Sequence, residues 1–393
     1  MSKKDFLDEM KITEIKFLEY LDNETNEEEI LFTSLKLILA DFRIQDDLYK
    51  FKSFLHLLMK ISNNYHRKIN FFEKITRILK LFKENIINYF SNSEIFNIFK
   101  ANKRLLLYLI NEGILIFDNN IFKKITTNNF RSKKYPHYFL PEIKKLKDIL
   151  WIENMKKSYF YYSNNKDWLD MISNEFPQDY EKNREIGEND DFVCKMIRED
   201  SVQEFIVHVN KLNLSLHSEI NSSIFETNSF LLKNLNSTKL IEYSAFYGSI
   251  QIFQYLKMNG VNLTPSLWIY AIHGKNPDII HLLEENHVQP YENSFNTCFY
   301  ESIKCHHSDI TNYFLINYMQ NENNGLTFGI KYHNYIFLQN QIINQSSFFD
   351  LCLYDYPFLV FAFIEEGSID VNEIVIDIKN IFIEFLSYKL IKF

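Results

Sequence analysis

Side chains able to do chemistry are thinly spread along this chain, and their spacing decides what they could do together. The tightest group is Cys298, Cys305, His306 and His307. Thiolates and imidazoles are zinc ligands, but a recognisable zinc spacing needs a paired Cys-x-x-Cys or two further ligands. The sequence supplies neither, so these residues are expected to be structural and to hold no metal. His273 and His281, on either side of a turn, are read as surface residues, and Cys352 as a small core residue. There is no Walker loop, Gly-x-Gly-x-x-Gly, His-Glu-x-x-His or Gly-x-Ser-x-Gly. Gly274-Lys275-Asn276 lacks the upstream glycine of a phosphate loop. The acidic pairs Glu284-Glu285 and Glu365-Glu366 fall near helix ends, with nothing in the sequence to enclose them as a glycosidase dyad. No catalytic residue and no cofactor is expected, and the chain is read as a non-enzyme.

The bulk composition narrows the classes further. Of 393 residues, 46% are hydrophobic and 24% charged, an ordinary globular balance. Only 8 glycines and 7 prolines are present, too few for the many turns of a β-sandwich or barrel. The net charge of −8 gives no global footprint for nucleic acid. A local basic excess (Lys123, Lys124, Arg131, Lys133, Lys134, Lys144, Lys145, Lys147, Lys156, Lys157) reads as a solvated face and connection. The most apolar stretch, around Leu105–Phe117, is broken by Asn111, Glu112 and Gly113, well short of the about 20 residues of a membrane span. Charged, amphipathic sequence follows Met1 where a signal peptide would have an apolar core. The four cysteines are too scattered for a disulfide framework. An intracellular, cytoplasmic chain without a membrane span is expected.

Hydrophobic periodicity supplies the elements. Ile30, Leu31, Ser34, Leu35, Ile38, Leu39 and Phe42 share one helical stripe, with Thr25 and Glu28 spaced as a capping box. Phe51, Phe54, Leu55, Leu58 and Met59 form another, and Phe71, Phe72, Ile75, Ile78, Leu79, Phe82 and Ile86 a third. Residues 126–190 read as a connecting region interrupted by prolines, with one short helix from about 142 to 157.

From 237 to 319 the sequence repeats itself. Tyr243-Ser-Ala-Phe-Tyr-Gly248-Ser-Ile-Gln-Ile252 aligns without gaps on Tyr270-Ala-Ile-His-Gly-Lys275-Asn-Pro-Asp-Ile279 and on Glu301-Ser-Ile-Lys-Cys-His306-His-Ser-Asp-Ile310. A large apolar residue follows at Leu256, Leu283 and Phe314, then an amide at Asn259, Asn286 and Asn317. Ser237 or Thr238, Thr264 and Thr297 stand where an N-cap hydroxyl would start each copy, and Asn259-Gly260 where a C-cap would end the first. Each copy therefore reads as helix–turn–helix, with length variation confined to the connections.

This pattern resembles the ankyrin repeat, and Leu240–Val288 in particular resembles divergent ankyrin-repeat proteins of a family expanded in protists. Ala101–Gly113, Ile197–Leu214 and Leu351–Gly367 with Ile369–Asn372 are poorer copies. The Thr-Pro-Leu-His signature is absent; Thr264-Pro265 is displaced by two positions. The resemblance implies an all-α fold, a helical solenoid of degenerate ankyrin-type helix–turn–helix repeats. The expected division is an N-terminal helical region 1–90, an isolated ankyrin-like unit 91–125, the connecting region 126–190, a repeat stack 191–320 and a C-terminal ankyrin-like unit 321–393. In such repeats a histidine at the His307 turn position commonly bonds a backbone carbonyl. The implied function is non-catalytic protein–protein interaction through a concave surface, here Phe246, Tyr247, His273 and Lys304, with another protein rather than nucleic acid as partner. The alternatives are a structural solenoid within a larger assembly, or an effector with an unrecognised enzymatic N-terminal part. The apolar run Phe385–Phe393 raises the expectation that another repeat once followed or that something else covers that edge.

Overall fold

Every regular element is a helix among the residues that the computed structural model describes, namely 1–23, 27–68, 70–127, 134–146, 179–233, 237–319 and 325–367. The first, Lys3–Asp22, starts because Ser2 and Asp5 cap each other: Asp5 N–H donates to Ser2 Oγ at 3.1 Å and Ser2 N–H to Asp5 Oδ2 at 3.0 Å. Phe6, Met10, Phe17 and Leu21 recur along its buried side. Leu48–Asn64 buries Phe51, Phe54, Leu55, Leu58 and Met59, as its periodicity predicts.

Other expectations are corrected in detail. In Glu28–Asp41 the buried stripe is Phe32, Leu35 and Leu39, while Ile30 is 68% exposed. The stripe from Phe71 to Ile86 is buried but runs as two helices, Phe71–Leu81 and Lys83–Tyr89, parted at Phe82. Pro136 and Pro141 sit in the first turns of Tyr135–Tyr138 and Leu140–Leu146, where a missing N–H costs no helical bond. They open helices instead of interrupting them. Beyond residue 146 the expected 142–157 helix lies outside the described residues, as do Thr25, Ile369–Asn372 and Phe385–Phe393.

Two compact units partition the chain, residues 1–78 with 263–393, and residues 79–262. This division cuts across the boundaries expected at 90, 125, 190 and 320. In the first unit Phe6 stacks on Phe358 with ring centroids 4.5 Å apart, and Lys3–Asp22 packs along Tyr335–Leu338. Contacts between residues so distant in sequence leave no periodicity to read.

One joint recurs in both units. The first helix of a hairpin ends on a residue of positive φ: Asp200 (50°), Gly248 (69°), Lys275 (49°), His306 (59°), His333 (55°) and Asp355 (64°). At five of these the next N–H returns to a carbonyl one helical turn back, as from Ser201 to Met196, Ser249 to Ser244, His307 to Ser302, Asn334 to Gly329 and Tyr356 to Leu351, at 2.9–3.2 Å. This is the Schellman arrangement, which satisfies the last carbonyls of a helix. Only Gly248 has the residue type that adopts it freely; the left-handed conformation costs the others about 1–2 kcal/mol each. The joint thus forms repeatedly in a glycine-poor chain because it is held from outside.

The hydroxyl caps expected for the second and third copies are displaced, and so is the first. Leu240–Tyr247 starts after Lys239, whose N–H is taken by Glu242 Oε2 at 2.8 Å, so neither Ser237 nor Thr238 is the cap. Leu267–Gly274 starts two residues beyond Pro265, after a tight turn from Thr264 O to Leu267 N. Thr297 lies inside Asn296–Lys304. In each case local backbone pairing moves the start without changing the hairpin.

Candidate functional site

At four of the six turns the residue that follows reaches from its hairpin to the one before it. Ser249 Oγ donates to Ile197 O, His307 Nδ1 to Ile272 O at 2.9 Å, Asn334 Nδ2 to Ile303 O at 2.8 Å and Tyr356 Oη to Ile330 O at 2.9 Å. Four side-chain types thus make one bond, always to the carbonyl of an isoleucine three residues before the left-handed residue of the preceding hairpin. A buried carbonyl at that point has to be paired, and any donor of suitable reach serves. The carbonyl bond implied for His307 by the resemblance is present.

In the first unit these joints are lined with buried histidines. His307 donates through Nδ1, so its Nε2 presents a lone pair to His66 Nδ1 at 3.2 Å. His66 Nε2 lies 3.1 Å from Asp22 Oδ1, while Tyr65 donates to Asp22 Oδ2 at 2.8 Å and Lys275 at 3.2 Å. Burial pushes the His66 and His307 pKa values down. Burial alone would raise Asp22, but His66, Lys275 and Tyr65 outweigh it and hold the carboxyl well below its usual range.

A second group is centred on Glu14, which occupies the apolar stripe of Lys3–Asp22 and is fully buried. Its Oε1 lies 2.6 Å from His306 Nδ1, and its Oε2 accepts from Tyr335 N at 2.6 Å and Ile336 N at 3.0 Å. A helix near the start of the chain thereby caps a short helix more than three hundred residues later. The signal that could have found it is a carboxylate at a core position, four residues after Met10 and three before Phe17.

The third group joins His273, Glu301, Lys304 and Cys305. His273 Nε2 lies 2.7 Å from Glu301 Oε1, the same oxygen that Lys304 Nζ holds. Cys305 Sγ lies 3.5 Å from His273 Nδ1 and 3.8 Å from Nε2, and the Asn64 backbone hydrogen-bonds the ring as well. Burial lowers the His273 pKa against the pull of Glu301. Burial would raise Glu301, yet His273 and Lys304 bring it down to about 2.

A thiol, an imidazole and a carboxylate in sequence invite comparison with a nucleophilic triad. An activated cysteine is electropositive and partly exposed, with its pKa lowered. Cys305 is fully buried, and burial drives its thiol well above the ordinary value. This sulfur is an inert one as it stands.

The expected binding residues are placed differently from the expectation. Phe246 and His273 are buried, at 5% and 2% exposure, so they do not form the exposed face assigned to them. Tyr247 is half-buried and donates to Glu188 Oε2 at 2.8 Å; Lys304 is half-buried on Glu301. Phe246 and Tyr247 belong to one unit, His273 and Lys304 to the other. His273 is likewise not the surface residue expected, because the following hairpin covers it through Glu301 and Cys305; His281 is exposed. Of Cys298, Cys305, His306 and His307, only Cys305 enters a group of ligand-type atoms among the described residues, and its partners are His273 and Glu301. Cys352 is buried, in keeping with a small core residue.

No helix among the described residues is long and apolar enough to cross a membrane. Comparison of the chain with protein-family models, curated proteins and solved structures gives no match, so the residues and their geometry are what a functional reading has to rest on.

Proposed function

We propose that the chain is a non-catalytic binding protein built on ankyrin-type repeats, with another protein as its partner. The observation that carries this reading is the bond, recurring at four turns, from the residue after the turn to the isoleucine carbonyl of the preceding hairpin. Hairpins tied in this way hold their packing through backbone carbonyls and leave outward positions free to vary, which suits recognition by surface. The inert environment of Cys305 supports the same reading.

Tyr247 and Lys304 are the two expected contact residues that retain some exposure, and they are where the partner is tested first. With the full chain as bait, Tyr247→Ala and Lys304→Ala should each weaken recovery of a protein that the unmodified chain retains above a blank resin. Unchanged recovery by both variants sinks the surface assignment. If the unmodified chain recovers nothing at physiological salt, the binding reading itself fails.

A further inference from the structure

The group at His273, Glu301 and Cys305 has more to offer than a hydrogen-bond network. One ligand-type atom from each lies within 4.8 Å of the other two. Nitrogen, carboxylate oxygen and sulfur together are a donor set for zinc, with bonds of about 2.0–2.3 Å. Glu301 and Cys305 are four residues apart at the end of one helix, so they share a face, and His273 comes from the first helix of the preceding hairpin. That is why the sequence spacing did not show the set: His273 is separated from Cys305 by a whole repeat.

Charge adds the second argument. Glu301 Oε1 is shared by two cationic or donor groups, His273 Nε2 and Lys304 Nζ. The oxygen sits in a place built for positive charge, and Lys304 supplies it from a side chain that is 14% exposed. The path that Lys304 takes in from solvent is also the path by which an ion could enter.

We propose that His273, Glu301 and Cys305 form a three-ligand zinc site for which Lys304 is the built-in competitor. On binding, the ion takes His273 Nε2, a Glu301 oxygen and Cys305 Sγ; the thiol proton leaves to solvent and the Lys304 ammonium swings outward. The Asn64 backbone orients the ring, as a supporting carbonyl does for a metal-bound histidine. A thiolate and a carboxylate balance the divalent charge, so the buried group is neutral once Lys304 has gone. The fourth position, where the ammonium stood, is left to water. Cysteine shifts least willingly, since its sulfur must turn from the side of the ring towards Nε2.

Cobalt(II) provides a direct readout, because a cobalt–thiolate bond gives a charge-transfer absorption in the near ultraviolet. The reduced full-length chain, titrated with cobalt(II), should develop that band at one equivalent, and zinc(II) should abolish it by displacement. Cys305→Ser should remove the band with far-ultraviolet dichroism unchanged; should that variant misfold, Glu301→Gln serves, with a loss of affinity larger than the roughly tenfold that removing a mere supporting partner costs. Lys304→Met, which deletes the competitor, should tighten binding. A band that persists in Cys305→Ser places the metal elsewhere and overturns the proposal. So does the absence of a band in both the unmodified chain and Lys304→Met.

Discussion

The two compact units build the same joint from different chemistry. In residues 79–262 the polar interior relies on permanent charge. Arg184, with 1% of its side chain exposed, meets both oxygens of Glu142 at 2.8 and 2.9 Å, and Arg198 Nε lies 3.3 Å from Glu188. Asp200 caps the next hairpin by accepting from Gln251 N and Ile252 N, both at 3.0 Å. In the other unit the corresponding interior is imidazole: His56, His66, His273, His306, His307 and His333. Both solutions satisfy buried backbone carbonyls and helix ends. They differ in the pH range over which the solution holds, because guanidinium keeps its charge whereas an imidazole held down by burial is protonated more readily once the chain unfolds.

The comparison breaks most sharply where a single buried charge is removed. Glu14→Ala strands His306 and the two N–H groups at Tyr335 and Ile336; Arg184→Met strands Glu142. Each should cost about 3–5 kcal/mol, read as a lowered midpoint of denaturant unfolding. If either variant lost less than about 1 kcal/mol, that interior would not be organised by its charge as described.

Acid should separate the units next. Burial holds His56, His66, His273, His307 and His333 below the ordinary imidazole value. A base depressed by folding takes up its proton more readily when unfolded. Its contribution is therefore complete above about pH 6.5 and is lost as pH falls below that. The other unit has one such imidazole among these described groups, His137, pushed down to about 3. It also has Lys103, pushed down by burial to about 7, whose contribution is lost as pH falls from the ordinary lysine value towards 7 and changes little below. Between pH 7 and 5, protection from amide exchange, measured by mass spectrometry relative to the intrinsic rate at each pH, should fall in residues 1–78 and 263–367 before it does in 79–262. Simultaneous opening, or the reverse order, would contradict the assignment.

A smaller effect tests the joint itself. Asn334→Ala removes both the bond to Ile303 O and the cap on Phe337 N–H, which Asn334 Oδ1 accepts at 2.9 Å. A loss of about 1–3 kcal/mol in thermal or denaturant unfolding is expected. Serine at 249 does the same work in the other unit, so Ser249→Ala should fall at the lower end of that range. The smallest expected change is a gain. His287, exposed and at φ 51°, occupies the position that Gly260 holds in the preceding repeat. His287→Gly should relieve about 1 kcal/mol of backbone strain and raise the melting temperature slightly; a fall would mean that the side chain supports the turn.

Much of the helical order was legible from the residues. The stripes on Leu48–Asn64 and Phe71–Ile86 are buried as periodicity predicts, and the aligned segments from 243, 270 and 301 do form hairpins with a left-handed residue at the same offset. Sequence position, however, said little about what is outside. The ankyrin resemblance puts Phe246 and His273 on a surface because they lie between the core positions of the repeat, yet residues between those positions can still pack against a neighbouring hairpin. The metal-type group was missed for a related reason: its members are adjacent only after one hairpin has been laid on the next.

The sequence by itself therefore determined the helices, the turns and the repeat offset, all of which depend on residues a few positions apart. Tertiary structure alone decided which polar groups meet: Glu14 with Tyr335, His66 with His307, and His273 with Cys305. Periodicity encodes the face a helix will bury, and the identity of the partner face is fixed only by packing.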